Sequence, residues 1–238
     1  MKKENKIIVS LIVLFSLITV FYCVYLVINR DLKISDAIKF RNEFMNLNDK
    51  INLDNDKQYL NVSISNTNTV KYTTEDEIIN ILEKGNGLIF LGDATSSWCR
   101  SIVSTLTEIA EQEKETIYYF DISNIRSLFE LDNDKISKVK DGTKGYYKIL
   151  KLLEDYLEDF YITDELGNHY NTGEKRLNVP TLIMVRKGSI TGFHQGTIGT
   201  QESSYDKLTG EEGEKLKEII KNLIVSKHLK EVCTIEKC

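Results

Sequence analysis

The stretch Gly92–Arg100 reads GDATSSWCR and separates an apolar run, Leu88–Leu91, from a run of helical periodicity that starts at Trp98. Further along, Val179–Thr181 reads VPT and holds the only proline of the chain. A cysteine in a turn that opens a helix meets free backbone N–H groups and the helix dipole, and both stabilise its thiolate. These two stretches decide which fold to expect and where to search for a site.

Patterning on both sides of this turn predicts alternating strands and helices. Thr74 and Glu77 form a capping box, and Thr209 and Glu212 form another. The predicted helices are Glu75–Lys84, Trp98 to about Glu113, Tyr146–Asp159, and a last one through Leu223 to about His228. The predicted strands are Tyr59–Ile64, Leu88–Leu91, Ile117–Ile122, and the ribbon of Leu182–Val185 with Ile190–His194. We therefore predict an α/β fold with a central mixed sheet flanked by helices.

Two segments stand apart from this alternation. Residues 124–178 are predicted to be an insertion before the proline, a small α/β domain of one helix and a hairpin around Gly167. Residues 29–58 are polar, with a few apolar residues at helical spacing, and are predicted to be a partly helical stalk. The main domain is then 59–228, followed by a tail, 229–238.

The N-terminus predicts a membrane anchor. Ile7–Ile28 is a run of 22 residues without a charge, which as a helix spans about 33 Å and suffices to cross a bilayer. Three lysines precede it, so residues 1–6 are predicted to be cytoplasmic and the chain beyond Arg30 extracytoplasmic. No small-residue cleavage site follows, which disfavours a cleaved signal peptide. Tyr22 before Cys23 disfavours a lipidated cysteine, so we interpret Cys23 as an apolar filler.

Charge narrows the classes of partner. Of 31 basic and 36 acidic residues, four basic and one acidic lie within 1–30, which leaves 27 and 35 beyond it, a net charge of −8. This excess of acid disfavours nucleic acid and anionic lipid. His169, His194 and His228 are far apart, with no ligand at metal-binding spacing, so neither a metal nor another cofactor is expected.

The cysteine turn resembles that of the membrane-anchored thioredoxin-fold proteins of Gram-positive bacteria, the family that includes bacteriocin transport accessory proteins. Their pattern is an apolar strand, Gly, three residues, Cys-Pro-Trp/Tyr-Cys-Arg and an amphipathic helix, and Gly92, Trp98, Cys99 and Arg100 match it. The resemblance covers roughly 59–228 and implies a thioredoxin-like fold. Ser96 stands where the family has its attacking cysteine, so a dithiol cycle at this turn is impossible.

A second alignment of this motif makes Cys99 the attacking thiol and leaves no resolving cysteine. Ser96 follows Leu91 by five positions and Cys99 follows it by eight, and a thioredoxin turn has its first cysteine about five positions after the strand. We therefore favour Ser96 as the first position, where it can also cap the helix. Cys99 then takes the resolving position, and the candidate catalytic residues are Ser96, Cys99 and Pro180.

The proline is the second half of the site. An apolar strand follows Pro180 at once and the chain tolerates no other proline, so we predict a cis Val179–Pro180 bond. The resemblance implies that this loop faces the cysteine turn and that the backbone of Val179 pairs with an extended substrate. Trp98, Val179 and Thr181 are the candidate substrate-binding residues.

Three alternatives for other residues remain open. Cys233 and Cys238 can form a local disulfide, serve as a resolving pair for Cys99, or stay as free thiols. Asp93 and Asp121 can act as proton acceptors beneath the thiol, but we favour loop aspartates that accept backbone N–H groups.

Two functions are therefore carried forward. One is an extracytoplasmic thiol–disulfide exchange protein with a degenerate Ser-x-x-Cys site, acting on exported proteins or peptides and serviced by a membrane redox partner. The other is a redox-inactive thioredoxin-fold module that binds exported peptides or a membrane partner. The reactivity of Cys99 discriminates between them.

Overall fold

The computed structural model describes residues 3–31, 34–53, 55–132 and 134–225. The chain divides between Ser35 and Asp36 into two units. The first holds one helix, α1 (Lys3–Asp31), whose apolar side chains from Leu11 to Tyr25 are exposed. Among the described residues, no helix is both long enough and apolar enough to cross a membrane.

The second unit begins with α2 (Asp36–Met45) and contains all the strands of the described chain. The elements that follow are β1 (Ile51–Asn52), β2 (Lys57–Gln58), β3 (Val70–Tyr72), α3 (Glu75–Lys84), β4 (Gly87–Gly92), α4 (Ser97–Gln112), β5 (Ile117–Asp121), β6 (Leu128–Asp132), β7 (Lys135–Lys140), α5 (Lys144–Leu152), β8 (Asp159–Thr163), β9 (His169–Lys175), β10 (Thr181–Arg186), β11 (Ser189–Gln195) and α6 (Gly210–Val225).

Five strands form one central mixed sheet, in the order β11-β10-β4-β5-β3. β3, β5 and β4 run parallel, whereas β10 is antiparallel to β4 and β11 is antiparallel to β10. The predicted α/β class with a mixed central sheet is confirmed. The pairs β1–β2, β6–β7 and β8–β9 are separate antiparallel hairpins.

Helices cover both faces of the sheet because its central strands are apolar on both sides. In β4, Leu88 and Phe90 point into a core shared with α2, α4 and α6. Ile89 and Leu91 point into a second core shared with α3 and α5. All six residues of β4 are buried, so the turn at its C-terminal end is built on a rigid strand.

Several local predictions are confirmed. Thr74 and Glu77 make the reciprocal capping box of α3, and that helix ends at Gly85. Thr209 accepts the backbone N–H of Glu212 at the start of α6. The ribbon of β10 and β11 turns at Lys187 and Gly188 as expected.

The predicted strand Tyr59–Ile64 is wrong. Val62 and Ile64 are buried, as the alternation indicates, but within the described residues the segment pairs with no strand. Apart from Tyr59 N–H, which donates to Lys50 O, its backbone N–H groups bond side chains: Val62 N–H donates to Asn48 Oδ1 and Ser63 N–H donates to Ser104 Oγ, both at 3.0 Å. The first strand of the sheet is Val70–Tyr72.

The predicted stalk, 29–58, is also wrong from Asp36 onward. Phe40 and Phe44 of α2 are completely buried and stack with Tyr119 of the central sheet. Glu43 accepts the hydroxyl of Tyr119 at 2.9 Å and also that of Tyr72. The sequence of this segment is mostly polar because only one face of the short helix α2 is apolar, so its packing against the sheet could not be recognised from composition.

The insertion 124–178 differs from its prediction in two ways. Its helix, α5, ends at Leu152 rather than Asp159, because a short 3-10 turn, Glu154–Tyr156, leads into β8. Tyr146 and Ile149 of α5 belong to the same core as α3, so the insertion does not form a separate domain. The hairpin around Gly167 is confirmed, whereas β6–β7 was not predicted.

Candidate functional site

Asp93 shapes the loop between β4 and α4. Its Oδ1 atom accepts the backbone N–H groups of Thr95, at 3.0 Å, and Ser96, at 2.7 Å, together with the Thr95 hydroxyl at 2.6 Å. The carboxylate is buried, and these three donors compensate for the loss of water. Asp93 is therefore a loop-forming residue, the role favoured from the sequence. Asp121 is exposed and accepts the backbone N–H of Ser123.

Ser96 is the N-cap of α4. It has extended backbone angles, and its Oγ atom accepts the backbone N–H of Cys99 at 3.4 Å. The helix starts at Ser97, so Ser96 immediately precedes its first turn and Cys99 lies within that turn. A serine hydroxyl oxygen is a good acceptor for this capping hydrogen bond.

Cys99 lies behind this cap with no exposed surface. Its Sγ packs against Gly92 so closely that a Cβ at position 92 would come within 2.9 Å of it. Burial raises the pKa of the thiol to about 12, although the Asp93 backbone, the Ser96 hydroxyl and the charge of Arg126 act in the opposite direction. The favourable helix terminus is thus outweighed by desolvation, and the thiol is protonated at neutral pH.

Arg100 is buried without a carboxylate partner. Its guanidinium donates to four neutral oxygens: Leu60 O at 2.7 Å, Phe44 O and Asn48 Oδ1 at 2.8 Å, and Ala94 O at 3.2 Å. Burial lowers its pKa to about 10, which leaves it charged at neutral pH. Arg100 therefore fastens the segment after α2 onto the first turn of α4. From the sequence, Arg100 could be assigned only to the motif, because three of its four partners lie 40 to 56 residues away.

The Val179–Pro180 bond is cis, as predicted. Thr181 pairs with Leu91 in the antiparallel ladder of β10 and β4, so Pro180 lies level with Gly92, at the start of the Asp93 loop. Pro180 O accepts the backbone N–H of Gly196 at 2.8 Å. The sheet thereby brings the two halves of the candidate site to one edge.

The three candidate substrate-binding residues differ in their accessibility and in their free hydrogen-bonding groups. Thr181 is completely buried and its hydroxyl donates to Asn178 O at 2.5 Å, so its side chain holds the loop and cannot reach a ligand. Val179 is partly buried, and among the described residues its backbone N–H and C=O make no hydrogen bond. Trp98 is partly exposed and its indole has no ring contact or hydrogen bond within that part of the chain.

No family model, curated protein or solved structure matches this chain.

The remaining candidates contribute little. Cys233, Cys238 and His228 lie outside the described residues, so the three alternatives for the tail cysteines stay predictions. Cys23 is an exposed free cysteine of α1. Within the described ranges, no group of three His, Cys, Asp or Glu residues could hold a metal ion.

Proposed function

We propose that this protein is a membrane-anchored thioredoxin-like module that binds extended polypeptide segments outside the cytoplasm and does not turn over disulfides. The observation that carries the proposal is the state of Cys99, which is fully buried and protonated behind the Ser96 cap. Thiol exchange requires an accessible thiolate. With neither access nor charge, Cys99 serves as a core residue.

The thioredoxin-like part of the proposal is supported by topology. Three parallel strands are extended by an antiparallel ribbon, a helix starts directly after the central strand β4, and a cis-proline precedes β10 beside that helix start. Together with the sequence resemblance, this combination favours a thioredoxin-like fold over other mixed α/β folds.

The proposed binding of extended polypeptides is supported by backbone groups and an aromatic ring that remain available at the site. Among the described residues, the backbone N–H and C=O of the partly buried Val179 have no hydrogen-bond partner, and unpaired amides of this kind favour the addition of an extended peptide. Trp98 supplies a partly exposed aromatic surface on the first turn of α4. Binding through main-chain atoms would tolerate many sequences, as exported polypeptides require.

The membrane anchor rests on the sequence. Ile7–Ile28 carries no charge, lysines precede it, and the positive-inside rule then orients the folded unit outward. Extraction of membranes at alkaline pH tests it: an anchored chain stays in the pellet, and release into the supernatant contradicts the assignment.

The proposal is tested with the full chain in lipid nanodiscs. The probe is a fluorescent, reduced and carboxymethylated polypeptide, which is unfolded and has no thiol to exchange. We expect saturable binding that dithiothreitol does not change and that the Cys99→Ala variant keeps. Trp98→Ala should weaken binding at least tenfold, whereas Tyr161→Ala, which removes an exposed aromatic ring of β8, should not.

Two results would overturn the proposal. One is catalysed reduction of insulin disulfides by the wild-type chain above the rate with dithiothreitol alone. The other is binding that disappears in Cys99→Ala although circular dichroism shows the variant to be folded. The first would restore thiol–disulfide exchange as the function, and the second would place Cys99 in the binding surface rather than in the core.

A further inference from the structure

Two arginines of the insertion, Arg126 and Arg176, lie on segments that are held together by a hydrogen bond of 2.7 Å from Ser127 to Glu174. Within the described residues, the side chains of Arg126 and Arg176 make no hydrogen bond and no ion pair, and Arg126 Nε is buried without a partner. The Arg176 guanidinium stacks 4.1 Å above the ring centre of Phe160. Burial lowers the pKa of Arg176, and the charge of Arg126 lowers it further, so each guanidinium opposes the other.

A phenol completes the cluster. Tyr146 is only 1% exposed, and its hydroxyl lacks a hydrogen bond of normal geometry, although the Leu177 backbone amide is near enough to counter part of the rise in its pKa. Both arginine charges act on this hydroxyl. Within the described residues, this hydroxyl and the buried Nε of Arg126 have each lost water without gaining a hydrogen-bond partner of normal geometry, which is unfavourable.

Glu174 is the acidic side chain whose charge acts on Arg176 and on Tyr146, but other groups already hydrogen-bond its carboxylate. Glu174 receives a hydrogen bond from Ser127 at 2.7 Å and another from Tyr147 at 3.3 Å. It also forms an ion pair of 2.5 Å with Lys138. These partners engage both of its oxygens, so two cations and one hydroxyl still lack an acceptor.

We propose that Arg126, Arg176 and the Tyr146 hydroxyl form a binding site for a carboxylate group. Guanidinium groups bind carboxylates through paired, charge-assisted hydrogen bonds, and a phenol hydroxyl can donate a further one. A bound carboxylate would give the orphaned donors an acceptor and neutralise the repulsion between the two arginines. Both arginine side chains remain partly exposed, so a ligand can reach them.

The position of the cluster indicates what carries the carboxylate. The charge of Arg126 acts on the pKa of the Cys99 thiol, which it lowers. Arg176 precedes Val179 by three residues in the sequence. An extended segment paired with Val179 would therefore bring an acidic group to the arginines. This step rests on the proposed function. The carboxylate can come from an Asp or Glu side chain or from a polypeptide C-terminus, since both present the same chemistry.

The test uses four labelled hexapeptides of one sequence, with Asp or Asn in the middle and with a free or amidated C-terminus. They are titrated against the full chain in nanodiscs. We expect at least one carboxylate form to bind at least tenfold more tightly than the Asn, amidated peptide. The form that gains identifies the source. The double variant Arg126→Gln/Arg176→Gln should remove this preference and leave binding of the neutral peptide unchanged. The control Arg41→Gln/Lys71→Gln, which removes two positive charges elsewhere, should keep it.

A second measurement does not depend on peptide binding. The thermal midpoint is compared in sodium acetate and in sodium chloride of equal ionic strength, and acetate should raise it in the wild type but not in the double variant. Peptides that bind without a carboxylate preference, with no effect of acetate, overturn the carboxylate site and leave the proposed function standing. If no peptide binds but acetate still stabilises the wild type selectively, the proposed function fails and the carboxylate site stands.

Discussion

Alkylation of Cys99 measures directly whether burial or the helix terminus controls this thiol. An unperturbed cysteine, with a pKa of about 8.5, is roughly 9% thiolate at pH 7.5. A pKa of about 12 leaves on the order of 0.003%, so the thiolate population falls about 3,000-fold. Because Cys99 has no exposed surface, its alkylation should be slower still and should depend on opening of the structure.

The assay exposes the folded full chain to iodoacetamide at pH 7.5 and quantifies the Cys99 peptide by mass spectrometry. The reference is the same peptide in a chain unfolded in urea, which needs no other protein for comparison. We expect at least a 1,000-fold difference in rate. A folded-state rate within tenfold of the unfolded one would refute the reasoning and would mean that the dipole and the Ser96 hydroxyl dominate.

The same pKa shift predicts how stability depends on pH. The thiol loses its proton above about pH 8.5 in the unfolded chain but only near pH 12 in the folded one. This contribution to stability is therefore present below pH 8.5 and declines above it, by about 1.4 kcal/mol per pH unit. Urea unfolding between pH 8 and 9.5 should show the decline in the wild type, and Cys99→Ala should lack it. Equal slopes for the two chains would contradict the assignment.

Three further substitutions test the site and the fold. Ser96→Cys recreates a Cys-x-x-Cys turn and should raise insulin reduction at least tenfold above the wild type; no gain would argue against the thioredoxin-like arrangement. Arg100→Met removes four hydrogen bonds, two of them buried, and should cost about 3–5 kcal/mol in urea unfolding, whereas Arg41→Met, whose side-chain bond goes to its neighbour, should cost little. Phe44→Ala should lower the free energy of unfolding by about 3–5 kcal/mol, and Ile38→Ala, on the exposed side of α2, should lower it by far less. Equal losses would instead support the prediction that this segment is a stalk outside the folded domain.

Features that depend on a few neighbouring residues could be predicted from the sequence. The capping box of Thr74 and Glu77, the ribbon that turns at Gly188 and the cap at Ser96 all act within a few positions. The strand β4 was also predictable, because a continuous apolar run between turn residues indicates a strand buried on both faces.

Features that depend on distant partners could not be predicted. The alternation of Val62 and Ile64 correctly indicates burial, but only the position of Asn48 and Ser104 decides that their segment bonds side chains rather than a strand. The pKa of Cys99 likewise depends on packing against Gly92, which the motif does not encode. The cluster of Arg126 and Arg176 joins residues that nothing in the local pattern connects.

The burial of α2 has a consequence for biosynthesis. Glu43 hydrogen-bonds Tyr119, which is made 76 residues later. At about 5–20 residues per second, that interval lasts roughly 4–15 s. For a period of that length, Phe40 and Phe44 lie outside the ribosome without the ring of Tyr119 that later packs against both. Nascent chains stalled before Tyr119 has emerged should therefore be the species that aggregates or recruits chaperones, and chains stalled after β5 has emerged should be protected.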